Sequence, residues 1–556
     1  MRSRPPAALN WALVAAVFGL GAGLLLVGLG AEDLNGDECN ALWLVKNGLW
    51  SYLRQFPYGS LLKLQFWLCD RLFRGALWGY RLPGTLAGIA TIGVLMWLAW
   101  RFWPKRRALP VCVGLLAAFG TQHTRLCRWG MANYGEYVLV AALVLGLFLH
   151  LLQGPLSARQ VRWAVALFFL APWLHPVLLI PLAAGLVALV LLRREQGTDA
   201  LRVRISRWGS ELRYFALVPV AFLVHRFGEP FYDFAAGAVT RSGLMYDFFA
   251  LPEARHTLPG FTILLWQRTL SLFAALAHVS SSVGSAIWAV EPTPGEVVCT
   301  RLILFFMLVG IVFPFQNRRL NREQLLLGVS LVLGVAATLL LGIFGGFPYG
   351  RPRYAMFLHG PIVLLASLGF LETLRLVRSA LEAAARGRLS APLRRRMRRA
   401  AAPAVILLSL LAVLWLGAGC LFDRYQECRR MRAAYDVMLS LIRNDRSDLA
   451  LMFDFGNAPF VAVPEVRAKT EFLDVNAGPS ARLRSRLQNP LFPVNQILAV
   501  TLGAYWTQLD SRETAPFRGL VRDDRFRPTL SYAVGNWYLM RLELRRPVAE
   551  QESPPR

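Results

Sequence analysis

Charge is what this sequence has least of. Asp, Glu, Lys and Arg make up 17% of the chain, against about 25% in soluble domains. Acids are the scarcer sign, 34 against 61 bases, and lysine is rare among the bases. With 55% hydrophobic residues, the chain has too little polar surface for a soluble protein of this size. Metal-ligand spacing is missing too. The seven cysteines and seven histidines are scattered, so no zinc site is specified. No internal repeat and no inverted pair of broken helices is visible, which weighs against a secondary transporter. No clear small-residue cleavage site follows the first apolar segment, which therefore reads as a retained helix, not a removed targeting peptide.

What the sequence has instead is a series of long apolar runs separated by arginine clusters. The net charge of +27 suits a nucleic-acid binder only if the arginines form a common surface. They do not: they fall at Lys105-Arg106-Arg107, Arg193-Arg194 through Arg213, Arg318-Arg319-Arg322 and Arg375 to Arg399. Short basic loops of this kind stay on the cytoplasmic side and attract anionic lipid. The partners expected are thus membrane lipids and no nucleic acid.

Placing the clusters inside gives crossings near 9–30, 80–102, 109–122, 135–153, 160–174, 176–192, 212–228, 299–316, 323–343, 354–374 and 401–420. Each approaches or exceeds the roughly 20 residues a spanning helix needs, or pairs across a hairpin. The apolar stretch at 261–290 is either re-entrant or part of two further crossings. The expected fold is a polytopic α-helical membrane protein of 11–13 helices, with its N-terminus cytoplasmic. Residues 1–421 form the membrane domain, with outer loops at 31–78 and 229–298. Residues 422–556 are more polar and read as an extracytoplasmic α/β domain. The arginine-over-lysine bias suggests a GC-rich bacterial genome and so an inner membrane. Cys39, Cys69, Cys127, Cys420 and Cys428 fall on the outer side of this topology. Disulfides form in such compartments, but pairing does not follow from sequence, and isolated small apolar residues are the simpler reading.

The first outer loop carries Glu32, Asp33, Asp37 and Glu38, four carboxylates in seven positions. A carboxylate at a polar–apolar boundary has a tunable pKa and can serve as a general base. Adjacent residues do not share a helix face, so one of Asp37 and Glu38 faces a substrate while the other orients it or binds a metal. The competing reading is an acidic cap on a helix beginning near Cys39. Any divalent metal would be held by Asp37 or Glu38. Arg351 and Arg353, in a Pro- and Gly-rich outer loop, have the planar forks that suit phosphate oxygens. They are equally readable as interfacial anchors beside Tyr349 and Tyr354. Lys63 and Arg81 add phosphate-binding charge or snorkel to the surface. His123, Arg125 and Arg128 form a further basic patch. Glu136 lies at the edge of a crossing, where a carboxylate is a functional candidate by default. His175 precedes Pro176 at a hairpin tip, either touching substrate or shaping the turn.

One long helix, an outer loop with Asp37-Glu38, an amphipathic stretch, Leu72-Phe73-Arg74-Gly75 and then Tyr80-Arg81-Leu82-Pro83-Gly84-Thr85-Leu86-Ala87-Gly88 opening the second crossing form a recognisable order. It resembles the GT-C glycosyltransferases of the protein O-mannosyltransferase and lipid A aminoarabinose transferase group. The resemblance covers 9–195 by motif and extends to 420 by helix pattern. It implies a polyprenyl-phosphate-linked sugar donor, a lipid, glycan or protein acceptor, and an inverting transfer. Asp37 would be the catalytic base with Glu38 beside it. Arg351, Arg353 and Lys63 would suit the donor phosphate; Arg81 as a further phosphate contact, and His123, Arg125, Arg128, Glu136, His175 and Tyr354 as substrate-lining residues, are read from their own placement and not from the resemblance. The chain departs from many relatives at Phe56-Pro57-Tyr58-Gly59-Ser60-Leu61, where those carry a Pro-Pro-Leu-like stretch, so the alignment of Lys63 stays open. A lipid or sugar transporter and a non-catalytic envelope scaffold are the competing functions.

Overall fold

The computed structural model describes residues 7–30, 60–74, 76–128, 134–154, 157–194, 256–278, 294–316, 321–343, 349 and 352–386, parts of 418–445, and five strands beyond them. The membrane helices are α1 (Ala7–Leu26), α2 (Ser60–Phe73), α3 (Leu77–Phe102), α4 (Leu109–Phe119), α5 (Thr121–Leu126), α6 (Tyr134–Gln153), α7 (Ala158–Leu174), α8 (Leu179–Arg194), α9 (Leu258–Ala277), α10 (Pro294–Gln316), α11 (Arg322–Ile343) and α12 (His359–Arg386), with 3-10 turns at Pro176–Leu178 and Pro352–Leu358. Six helical segments among the described residues are long and apolar enough to cross a membrane: Trp78–Phe102, Tyr134–Gln153, Leu258–Ala277, Pro294–Phe313, Arg322–Ile343 and Arg353–Val377. The chain is a polytopic helical membrane protein. The crossing expected at 212–228, and residues 401–417 of the one expected at 401–420, lie outside the described residues.

Local chemistry sets the helix ends. Ser157 and Gln160 close a capping box on α7: the Ser157 hydroxyl accepts from the Gln160 amide at 3.4 Å, and the Gln160 side chain accepts from the Ser157 amide at 2.9 Å. Thr257 and Asn321 cap α9 and α11 in the same manner, each accepting from an amide three residues on. After α1, Gly28 takes φ 67, the left-handed turn that ends a helix without a Cβ penalty.

Three expectations change. The run at 109–122 is two helices, because the chain turns extended at Gly120 (φ −62, ψ 104). A Cβ at Gly120 would press on the His359 ring, so this is where α12 packs closely. The apolar stretch near 261–290 supplies one continuous helix, α9, of membrane-spanning length, and 279–293 lie outside the described residues. The crossing at 354–374 continues to Arg386, since Arg375 to Arg386 is mostly Leu, Ala, Arg and Glu, which extend a helix readily.

The chain forms two compact units. One comprises Met1–Leu29, Gln55–Phe66 and Arg81–Arg424; the other comprises Gly30–Arg54, Trp67–Tyr80 and Tyr425–Arg556. In the first, one apolar core joins α1, α3, α4, α6, α7, α8, α11 and α12. α10 packs along α12, α8 along α11, and α1 along α4. Gly135 lets α6 lie directly against the Gly84 carbonyl of α3, where any Cβ would overlap it. Glu372 is buried on α12 and pairs with Arg106 and, at 3.6 Å, with Arg375.

In the second unit, β1 (Leu449–Met452), β2 (Thr470–Phe472), β3 (Gln496–Leu502), β4 (Phe526–Val534) and β5 (Trp537–Leu544) form a sheet of order β2-β1-β3-β5-β4. β1 is parallel to β2 and β3, while β3–β5 and β5–β4 are antiparallel. Arg541 of β5 pairs with the buried carboxylate of Asp445. In the same unit, the Tyr80 hydroxyl donates to Asp70, and Trp78 packs on Phe73 at 4.8 Å between ring centroids.

Candidate functional site

The carboxyl end of α1 shares one end of the bundle, here the upper end, with the start of α3, helix α5, the start of α6 and the turn before α12. Polar side chains concentrate there. Arg81, His123, Arg128, His175 and His359 are all buried, although most of the surrounding helix is apolar.

Two of the arginines serve α1. The last carbonyls of a helix have no partner within it and carry the negative end of its dipole. Arg128 Nη1 donates to the Leu24, Leu25 and Val27 carbonyls at 3.1, 3.0 and 2.8 Å. Arg81 Nη1 donates to the Leu29 carbonyl at 3.2 Å. Both are 1% exposed, which places their charge in the wall of the site beside main chain.

Tyr137 organises the other side. Its hydroxyl donates to the Tyr354 carbonyl at 2.8 Å and accepts from the Phe357 amide at 3.1 Å. This ties α6 to the 3-10 turn that carries Arg353. The Tyr137 ring also stacks on His175, 5.1 Å between centroids, and His175 Nδ1 accepts from the Val177 amide at 3.3 Å. His175 is therefore buried within the α7–α8 turn instead of forming an open tip.

Helix α5 brings the remaining groups together. The His123 and His359 rings stack 4.8 Å apart and 3° from parallel. His123 Nε2 donates to the Gly88 carbonyl at 3.3 Å, which leaves Nδ1 to accept from the Cys127 thiol at 3.5 Å. Burial pushes the His123 imidazole down to about 4, against the opposing effect of the Gly88 hydrogen bond. It is thus neutral at physiological pH. Arg125 is lowered to about 10, first by burial and then by the charge of Arg353. The two guanidinium groups thus lie within electrostatic range of each other. Arg353 is partly buried and lies over the Tyr354 ring at 4.7 Å. Glu136 accepts from Gln65 Nε2 at 2.6 Å, and Thr269 bonds the Tyr349 hydroxyl at 2.7 Å.

Of the residues singled out from sequence, Arg81, His123, Arg125, Arg128, Glu136, His175, Arg353 and Tyr354 lie at this end. Asp37, Glu38 and Arg351 lie outside the described residues. Lys63 is in α2, with its side chain outside them. Tyr137 and His359 went unnoticed in the sequence. His359 had a signal, a polar residue inside an apolar run; Tyr137 had none beyond its place at a helix start. Among the described residues, no three His, Cys, Asp or Glu side chains gather to hold a metal ion.

No protein-family model and no curated protein matches the sequence. Among solved structures, the chain is similar to ArnT from Cupriavidus metallidurans bound to undecaprenyl phosphate, at 16% identity over 97% of this chain and 98% of that one, with a TM-score of 0.46. The same protein in its apo state matches at 17% identity over 96% and 98%, also at 0.46. The Archaeoglobus fulgidus oligosaccharyltransferase in complex with Zn and sulfate matches at 14% identity over 89% of this chain and 69% of that one, with a TM-score of 0.43.

Proposed function

We propose that this protein is a membrane glycosyltransferase that moves a sugar from a polyprenyl-phosphate carrier to an acceptor at the outer face of a bacterial inner membrane. The observation that supports this reading is the polar cluster at the upper end of the bundle, where Arg125 and Arg353 lie within electrostatic range of each other beside the turn that Tyr137 holds. Two guanidinium groups at one end of the bundle give it a local positive field. A phosphate has the charge and the planar oxygen pairs that guanidinium forks match. In this reading Arg125 and Arg353 hold the donor phosphate. Tyr137 positions Arg353 through the turn, and Arg81 and Arg128 fix the end of α1, from which the acidic loop departs.

The role of Asp37 rests on the sequence. As general base it takes the proton of the acceptor hydroxyl, whose oxygen attacks the anomeric carbon. The carbon–oxygen bond to the carrier breaks with inversion, and polyprenyl phosphate leaves with its charge stabilised by the two arginines. The buried, neutral His123 is a wall of this site and not its acid.

The test is transfer of labelled sugar from cellular polyprenyl-phosphate donors in membranes containing the full chain. Asp37→Asn should leave expression and undecaprenyl phosphate binding intact while lowering transfer at least a hundredfold. Normal transfer by that variant would remove Asp37 from the mechanism. Lipid movement with no covalent product would favour a transporter instead.

A further inference from the structure

The same helices carry a second feature, which opens towards the lower end of the bundle. A groove of about 430 Å³ runs between α3, α6 and α7. Trp97, Leu143, Leu147, Trp163 and Leu167 line its length, and His150 and Gln160 stand at its lower mouth. Trp97 and Trp163 are 44% and 68% exposed, so the groove opens outward from the bundle. Its lining is almost wholly apolar, and α3 and α6 are both of membrane-spanning length.

The dimensions select one kind of occupant. Along α6 the lining runs from Val140 to His150, ten steps or about 15 Å at the rise of an α-helix. Along α7 it runs from Gln160 to Leu174, fourteen steps or about 21 Å, so the groove takes a chain extending more than halfway across the ~30 Å hydrocarbon layer. Trp97 and His150 rings sit 5.9 Å apart near the mouth, and tryptophan favours the membrane–water boundary.

The mouth itself is cationic. Arg101 ends α3 beside Phe102 and lies within electrostatic range of His150. The exposed Arg159 and Arg162 flank Gln160 at the start of α7. Among the described residues of α3, α6 and α7, the only carboxylate is Glu136, at the opposite end of α6. A neutral lipid would fill the apolar part equally well, but it would leave this cluster of positive charge unmatched.

We propose that the groove is a binding site for an anionic phospholipid, with one acyl chain between Trp97 and Trp163 and the phosphate against Arg101, Arg159 and Gln160. The site does not rest on the transferase reading, since its charged mouth is at the end of the bundle opposite the polar cluster.

Native mass spectrometry of the full chain, extracted from vesicles of equal phosphatidylglycerol and phosphatidylcholine, tests this. The wild type should retain one phosphatidylglycerol per chain, at least tenfold over phosphatidylcholine, since each arginine near a membrane surface contributes about fivefold toward anionic lipid. Leu143→Trp fills the groove from its 40% exposed position and should abolish retention. Arg101→Gln with Arg159→Gln changes only surface groups, and should bring the two lipids to near-equal retention. Equal retention of both lipids by the wild type would overturn the proposal. So would an unchanged phosphatidylglycerol preference in the double arginine variant, even if Leu143→Trp failed to fold.

Discussion

Replacing Arg128 by methionine isolates what a buried arginine does in this bundle. The substitution keeps a flexible side chain of similar length and removes the charge and every donor. Three carbonyls at the end of α1 lose the Nη1 group that now lies 2.8–3.1 Å from them. A hydrogen bond to a charged group contributes about 1.5–3 kcal/mol. One nitrogen has two hydrogens, so the three contacts amount to one or two full bonds. Leaving the carbonyls unsatisfied in a 1% exposed position brings the total to about 3–5 kcal/mol, as for other broken buried charge contacts. At about 2–4 °C per kcal/mol for a large domain, the melting temperature in detergent should fall by about 10 °C. Tryptophan fluorescence of the full chain reads this directly. Arg128→Lys keeps the favourable charge at the helix end without the planar fork and should lose about half as much. Arg353→Gln, at a partly exposed position, should stay within about 2 °C of wild type. An Arg128→Met protein that melts with the wild type would refute the capping role.

Two other outcomes follow from the same end of the molecule. Tyr137→Phe removes both bonds to the 3-10 turn, so it should cost about 1–3 kcal/mol and weaken undecaprenyl phosphate binding by freeing Arg353; loss of stability with unchanged binding would mean the tyrosine is structural only. Because the folded pKa of His123 is depressed to about 4 from an unfolded value near 6.5, its stabilising contribution is complete above pH 6.5 and is lost as pH falls towards 4. The slope reaches about 1.4 kcal/mol per pH unit. Melting temperatures measured from pH 7 to pH 4.5 should show this loss, and His123→Gln should flatten the curve.

The membrane architecture is legible in the sequence because two strong signals agree: apolar length, and arginines placed between the apolar runs. Both act locally, so α3, α10 and α11 begin and end within a few residues of where the pattern puts them. The break between α4 and α5 is hard to read in the sequence, since a single glycine, Gly120, does not by itself end a helix. The tertiary setting of that glycine, with the His359 ring against it, is visible only in the fold. The same holds for the arginines at the upper end. Arg81, Arg125, Arg128 and Arg353 look alike in sequence, as basic residues near helix ends. Only the fold gives Arg81 and Arg128 to the carbonyls of α1 and sets Arg125 against Arg353. Tyr137 is invisible for a related reason, because its two partners lie more than 200 positions away in the chain.

Binding of undecaprenyl phosphate to the purified full chain, wild type against Arg125→Gln with Arg353→Gln, tests the central claim most directly. Each charge-assisted contact is worth about tenfold or more in affinity. The account therefore predicts at least a hundredfold weaker binding in the double variant, with little change in melting temperature. Unchanged affinity in a folded double variant would contradict it.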